Sequence, residues 1–400
     1  MKVLQICLRV PYPPKDGGAV AMNNLTEGLI QNGVDTMVLA INTDKHFVNI
    51  SELPIAYIEK TRLKAVRVDT NLKWYGALMN IFSNDSYNIS RFYSEDFNQL
   101  LLKTLKENEF DIIQLESLFT TPYISTIRKN TKAKIVLRTH NVEHVIWQKL
   151  SEGTTNTIKK WYLKFLAKRL YQYEIQALKK CDALVNITET DTAYFKKYYT
   201  SDKMLTIPFG VNIEKYNSLK KDNSDKNLFH LGALDWMPNQ QGLMWFLKNC
   251  WSKLNRLYPD LKFYIAGRNI PDWFKNLNYP NVIIKGEVKD AVSFMNDHAI
   301  MIVPLFSGSG MRTKIIEGMA LGKVIVSTSI GVSGIEAEHG KNFVVADSAE
   351  EFVASISKCI NDQHFVSTLS ENSMECIKKN YDNQQLCNKL VNFYSQLLTV

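Results

Sequence analysis

Short apolar runs alternate with stretches of helical periodicity along almost the whole chain, and this alternation restricts the fold more than any other feature. Strands are expected at Val3–Cys7, Thr36–Leu39, Asp111–Leu115, Lys134–Arg138 and Ala183–Ile187. A second series follows at Leu228–Leu231, Phe263–Ala266, Val282–Ile284, Ile300–Val303 and Val324–Ser327. Helical patterns run from about Ala19 to Asn32, Gln240 to Leu257, Ala291 to Asn296 and Thr313 to Leu321. Strands that are apolar throughout belong to parallel sheets covered by helices on both faces.

Four hundred residues suit two such domains better than one core. Asn217–Asn227 is a polar stretch of alternating Lys, Asp and Ser that cannot bury enough surface to order itself. The expected organisation is an α/β fold of two facing Rossmann-like, doubly wound domains with a cleft between them. Residues 1–210 form the first domain, 211–227 a linker and 228–380 the second. The amphipathic tail, 381–400, is expected to be helical. Where two sheets present their carboxyl ends, ligands are expected.

A hydrophobic share of 45% excludes a disordered chain. No apolar run approaches a membrane span. The N-terminus, with Arg9 and three prolines by position 14, does not read as a signal peptide, so a cytoplasmic location is expected. Six scattered cysteines without a C-x-x-C pair read as reduced, buried thiols. The formal charge of +8 suits phosphorylated small molecules, anionic membrane surfaces or nucleic acid, and charge by itself does not choose.

The segment from Pro304 to Gly322 concentrates the chemistry. A small-residue loop, Ser307-Gly-Ser-Gly310, joins a strand to a helix that starts near Thr313. Glycines let backbone approach a diphosphate, and free N–H groups at a helix start favour an anion. Arg312 adds a charge-assisted donor, and Glu317, about a turn further on, is placed to accept ribose hydroxyls. The competing reading is a plain loop with Lys314 and Glu317 paired on a solvated helix face. In the first domain, Asp16-Gly17-Gly18 lies between strand and helix. It reads either as a loop over a ligand or as a helix-capping turn with Asp16 as the cap. His140 and Glu143 follow a buried strand. On their residue types alone they are a structural histidine and a first-turn acid.

Taken with Lys323–Gly334, the 304–322 segment resembles the donor-binding signature of family-four retaining glycosyltransferases of the GT-B fold. Leu228–Asn239, Ile265-Ala-Gly-Arg268, Gly286-Glu-Val288 and Ile207–Asn212 are similar to other parts of that pattern, in the same order. The resemblance implies a donor site made by Gly17, Gly18, Gly232, Arg268, Val288, Ser309, Gly310, Met311, Arg312, Thr313 and Glu317. It gives catalytic parts to His140, Arg312 and Glu317, and places Asp16 and Glu143 on the acceptor side. Glu317 matches the second glutamate of the family's E-x7-E motif. Ser309 stands where the first would be, so the contact to the donor sugar departs from the pattern. The family's basic pair is likewise missing near Asp235 and Asn239, leaving Arg312 and Arg268 as the available cations. The terminal helix resembles one that crosses back to the first domain.

No D-x-D pair occurs in the chain, so metal-independent transfer without a bound cofactor is expected, with a nucleoside-diphosphate sugar (UDP or GDP) as co-substrate. The resemblance implies retention of configuration, a hexose-type sugar and a glycan or lipid-linked acceptor, in polysaccharide or glycoconjugate synthesis. A nucleotide-sugar epimerase and a non-catalytic nucleotide-sugar-binding protein are the alternatives. No nucleic-acid recognition motif accompanies the charge. Thr154–Tyr173 carries four lysines and Arg169 with no acid, beside an inward stripe of Leu163, Leu166, Leu170 and Ala177. It reads either as a solvated basic face or as a peripheral contact with the cytoplasmic face of a membrane.

Overall fold

A computed structural model describes residues 1–71, 86–219, 226–308 and 310–399. They form two compact units, one of residues 1–210 with 383–400 and one of residues 211–382.

The first unit is built on seven parallel strands: β1 (Lys2–Cys7), β2 (Asp35–Thr43), β3 (Lys64–Val68), β4 (Ile112–Glu116), β5 (Lys134–Thr139), β6 (Ala183–Asn186) and β7 (Met204–Thr206). Their order is β3-β2-β1-β4-β5-β6-β7. Successive residues enter opposite cores, as the pleat requires. Val3, Ile112, Val136 and Val185 share one cluster, while Leu4, Ile113, Leu137 and Leu184 share the other. Both faces being covered explains why these strands read as continuous apolar runs. The terminal helix Asn383–Leu398 belongs to this unit, where Cys387, Leu390 and Tyr394 pack with Leu25 and Leu29. The fit against the Gly17–Gln31 helix is close: a Cβ on Gly28 would stand 2.2 Å from Cys387 Sγ.

The second unit holds six parallel strands: β8 (Leu228–Leu231), β9 (Phe263–Ala266), β10 (Val282–Gly286), β11 (Ile300–Val303), β12 (Val324–Ser327) and β13 (Val344–Val345). Their order is β10-β9-β8-β11-β12-β13. The expected Gln240–Leu257 helix begins earlier, at Met237, and runs to Leu257 through a π-helical turn at Leu247–Trp251. Within the stretch expected as a linker, Ile213–Leu219 is helical with Tyr216 buried, because Tyr216 has a partner in this unit. Residues 220–225 of that stretch lie outside the described residues. Strands β3, β7 and β13 escaped the sequence reading: they are short edge strands, and β3 and β7 are only partly buried.

In each sheet the crossover direction reverses beside the first strand of its unit, between β1 and β4 and between β8 and β11. Such switch points leave a crevice at the carboxyl ends of the strands. Of the expected site residues, Asp16, Gly17 and Gly18 follow β1, Gly232 follows β8 and Arg312 follows β11, beside these two places.

Candidate active site

In the first unit, loops leaving β1, β4 and β5 supply the polar groups. Asp16 caps the Gly17–Gln31 helix, its Oδ1 accepting from Gly18 N at 3.0 Å and Ala19 N at 3.1 Å. Its other oxygen accepts from Arg9 Nη1 at 2.9 Å. Asp16 is therefore the helix cap that the sequence allowed, and its carboxylate also fixes Arg9. Gly17 and Gly18 open the helix, and a Cβ on Gly18 would lie 3.2 Å from the Arg9 guanidinium.

His140 follows β5, and its Nε2 lies 2.8 Å from Glu116 Oε2 at the end of β4. Glu116 is sealed from solvent and also accepts from Arg138 Nη1 at 3.3 Å, Gln5 Nε2 at 3.0 Å and Gln114 Nε2. Burial pushes the Glu116 carboxyl up, but Arg138, His140 and Gln114 outweigh it and hold the group below its ordinary value. Burial also dominates at His140, where the pull of Glu116 does not fully offset it and the pKa is lowered. An ionised carboxylate only accepts, so Nε2 carries the imidazole proton and Nδ1 keeps a lone pair for a ligand hydroxyl. Ser117, directly after Glu116, sits at φ 88°, a strained conformation for a residue with a side chain.

The partner that orients His140 is Glu116, and Glu143 lies at the first turn of the next helix, as its residue type suggested. Glu143 opens the Glu143–Glu152 helix with its side chain buried, and its N–H donates to Glu174 Oε1 at 3.0 Å. Burial, then the Glu174 charge, push its carboxyl up to about 8. The neighbouring His144 bonds Glu174 Oε2 at 2.5 Å and Tyr194 Oη at 2.7 Å.

In the second unit, the loop after β11 leads into the Thr313–Ala320 helix, with Arg312 at the N-cap position but no side-chain cap. Gly308 and Gly310 adopt φ of 119° and 79°, where side chains are disfavoured. A Cβ on Gly308 would also stand 2.7 Å from the Arg312 guanidinium and 2.9 Å from the Trp236 ring. Arg312 donates to Gly310 O at 2.5 Å and stacks on Trp236 with its Cζ 5.2 Å from the ring centre. Burial lowers its pKa to about 10, so it stays cationic at neutral pH. Met311 and Thr313 are buried beside it. Ser309 lies outside the described residues.

Glu317 is buried, with Oε1 accepting from Tyr216 Oη at 2.8 Å and Oε2 2.7 Å from Lys314 Nζ. The Lys314 pairing foreseen for a solvated face is thus present, but on a buried carboxylate. Gly232, at the end of β8, abuts the next strand: a Cβ on Gly267 would meet Gly232 O at 1.7 Å. Arg268 is half-buried after β9, two strands from β11 and so about 10 Å away across the sheet. Val288 follows β10 and lines a shallow groove with Tyr264, Phe294 and His298, apart from the Arg312 loop.

Sequence reasoning missed Glu116, Tyr216 and Trp236 as site residues. Glu116 had a usable signal, an acid closing the apolar run Ile112-Ile-Gln-Leu-Glu116. Tyr216 had none, because its partner is 101 residues away.

A family model described as Glycosyltransferase Family 4 matches residues 15–215, half of the chain. One described as Glycosyl transferases group 1 matches residues 225–362. Among relatives, an uncharacterized 44.6 kDa protein in the cps region of Klebsiella pneumoniae is 23% identical over 96% of this chain and 97% of its own. The capsular polysaccharide biosynthesis glycosyltransferase CapM of Staphylococcus aureus is 22% identical over 46% of this chain and 49% of its own. Among solved structures, Anabaena HepE in complex with UDP-glucose superposes with a TM-score of 0.64 at 14% identity, covering 99% of this chain and 100% of that one. That likeness carries the fold, and the family models carry the class. The two parallel sheets have the GT-B architecture, and the chain belongs to the group 1 glycosyltransferases.

Proposed function

We propose that this enzyme moves a hexose-type sugar, with retention, from a nucleoside-diphosphate donor to a glycan or lipid-linked acceptor of a surface polysaccharide. The observation that carries the reading is Arg312, a half-buried cation held by Trp236 and Gly310 O at a helix start that lacks a side-chain cap. Free N–H groups, the helix dipole and a fixed guanidinium suit the charge that grows on a departing diphosphate. Glu317, held by Tyr216 and Lys314, is the acceptor for ribose hydroxyls. His140, neutral and oriented by Glu116, presents Nδ1 to a hydroxyl of the transferred sugar. In the proposed step the acceptor oxygen bonds to the anomeric carbon on the face from which the diphosphate leaves. The acceptor proton passes to the departing phosphate oxygen. The names of the Klebsiella and Staphylococcus relatives support a capsular setting, and the UDP-glucose held by the Anabaena protein supports a UDP-sugar.

The test is thermal unfolding with UDP, GDP, ADP, TDP and CMP, with and without a chelator. A ligand that binds only the folded state raises the midpoint. One nucleoside diphosphate doing so in chelator supports a metal-independent donor site and names the base; no shift with any of them sinks the reading.

We also read the Thr157–Leu178 helix as a peripheral membrane contact. Leu163, Leu166, Leu170 and Ala177 point inward, whereas Ile158 is 81% and Trp161 59% exposed among Lys159, Lys160 and Lys164. Exposed apolar side chains ringed by cations suit an anionic bilayer surface. Among the described residues no helix is long and apolar enough to cross a membrane. Cosedimentation with phosphatidylglycerol vesicles at low salt, lost in Trp161→Glu, is the expected result. No sedimentation of the wild type removes the idea.

A further inference from the structure

His140 sits on a short link between two fixed points. His140, Asn141 and Val142 join the end of β5 at Thr139 to the Glu143–Glu152 helix. At one end Thr139 Oγ1 donates to Asn186 Oδ1, on β6, at 2.6 Å. The other end has no local side-chain fastening, because Val142 stands at the N-cap position and offers no oxygen there. Val142 packs into the core, which sets its depth but not the direction of the N–H groups that follow. A distant residue supplies the cap. Glu174, 31 residues beyond Glu143, accepts from Glu143 N at 3.0 Å through Oε1 and from His144 N at 3.1 Å through Oε2. One carboxylate thereby satisfies two of the N–H groups that a helix start leaves over, and it meets the positive end of the helix dipole. Its Oε2 also lies 2.5 Å from His144 Nδ1, while His144 Nε2 lies 2.7 Å from Tyr194 Oη on the Glu189–Phe195 helix after β6. Glu174 is only 1% exposed.

We infer that Glu174 is a positioning residue for His140: it clamps the far end of the link and so fixes the backbone from which the imidazole reaches Glu116. The inference rests on the reading of His140 as a partner of the transferred sugar, and deepens it. Energetics argue against a role in stability alone. A sealed carboxylate costs far more to bury than an exposed serine or aspartate at the N-cap, and buried charges paired in this way add little net stability. What the arrangement adds is direction, since an ionised carboxylate only accepts and three donors converge on this one. Direction matters because the link is too short to absorb a shift. Asn186 holds Thr139, and Glu116 holds the His140 ring at 2.8 Å, so any movement of the helix start is taken up within His140–Val142. Glu143 is no substitute as the anion: its own carboxyl, pushed up to about 8 by burial and then by Glu174, is mostly protonated at neutral pH.

Nuclear magnetic resonance of the full chain, labelled with 15N-histidine, tests this, because long-range proton–nitrogen correlations report the tautomer of each imidazole. The set of signals lost in His140→Asn assigns His140. Wild type should show the proton on Nε2. Glu174→Gln keeps the shape of the side chain but turns an amide donor towards His144 N and Nδ1. The two His140 nitrogen shifts should then move towards each other, as a second tautomer becomes populated. If that variant does not fold, His144→Gln serves: it removes the ring, keeps both backbone donors, and should give a smaller shift of the same kind. His140 signals unchanged in every variant that folds, even with a lowered melting midpoint, would make Glu174 structural only and overturn the inference. The spectra read the imidazole itself, so they can refuse Glu174 while nucleotide stabilisation upholds the donor reading, and the reverse holds equally.

Discussion

His140 Nε2 lies 2.8 Å from Glu116 Oε2, and the two residues extend from adjacent parallel strands with Glu116 fully buried. This pairing fixes the tautomer and the aim of His140. The Glu116 carboxylate also neutralises Arg138, which is only 1% exposed.

Glu116→Gln leaves Arg138 buried without a counter-charge, and such losses cost about 3–5 kcal/mol. Urea unfolding should show that loss. His140→Asn leaves Glu116 its other three donors, so stability should fall by only about 1 kcal/mol. Transfer should drop about 100-fold. A wild-type rate in His140→Asn would remove His140 from the chemistry. Both groups are held below their ordinary pKa, so the unfolded chain binds more protons than the fold as pH falls. Their stabilisation is complete at neutral pH. It is lost downward from about pH 6.5 for His140 and from about 4.3 for Glu116.

Glu143 has the opposite sign. Its folded pKa is pushed up to about 8 by burial and by Glu174, so ionisation in the fold is disfavoured. Its contribution to stability declines as pH rises from about 4.3 towards 8. Glu143→Gln should therefore melt higher than wild type at pH 8 and close to it at pH 5. Equal differences at both values would show that Glu143 does not titrate in this window.

Arg312 and Glu317 should separate by ligand. Arg312→Ala should weaken UDP much more than uridine, since the guanidinium is assigned to the diphosphate. Glu317→Gln should weaken both alike, since its carboxylate is assigned to the ribose. Calorimetric titration of the four pairs decides. Wild-type UDP affinity in Arg312→Ala would end its role.

Gly242, in the Met237–Phe246 helix, supports the loop after β11 by contact: a Cβ there would lie 1.8 Å from Pro304 O. Backbone cannot yield as a flexible side chain does, so Gly242→Ala should cost about 1–3 kcal/mol. The nucleotide-induced rise in melting midpoint should shrink as Pro304 is displaced. A variant with the wild-type midpoint and wild-type nucleotide response would show that the helix moves freely.

The sequence by itself determined the two parallel sheets, because strands such as Val3–Cys7 and Ile300–Val303 are apolar on both faces and alternate with helices. It also determined the two glycines, Gly308 and Gly310, that precede a helix, since glycine adopts their backbone angles most readily. Tertiary structure alone decided how the polar groups are spent. Asp16 turned out to be bound to its own helix and to Arg9, and Glu143 to lie in a buried cluster. Glu317 is held by Tyr216, and His140 by Glu116. Those pairings join residues 24 and 101 positions apart. Periodicity reports which face of an element is buried, whereas the partner a buried charge finds depends on how strands line up in the sheet and on where a distant helix packs.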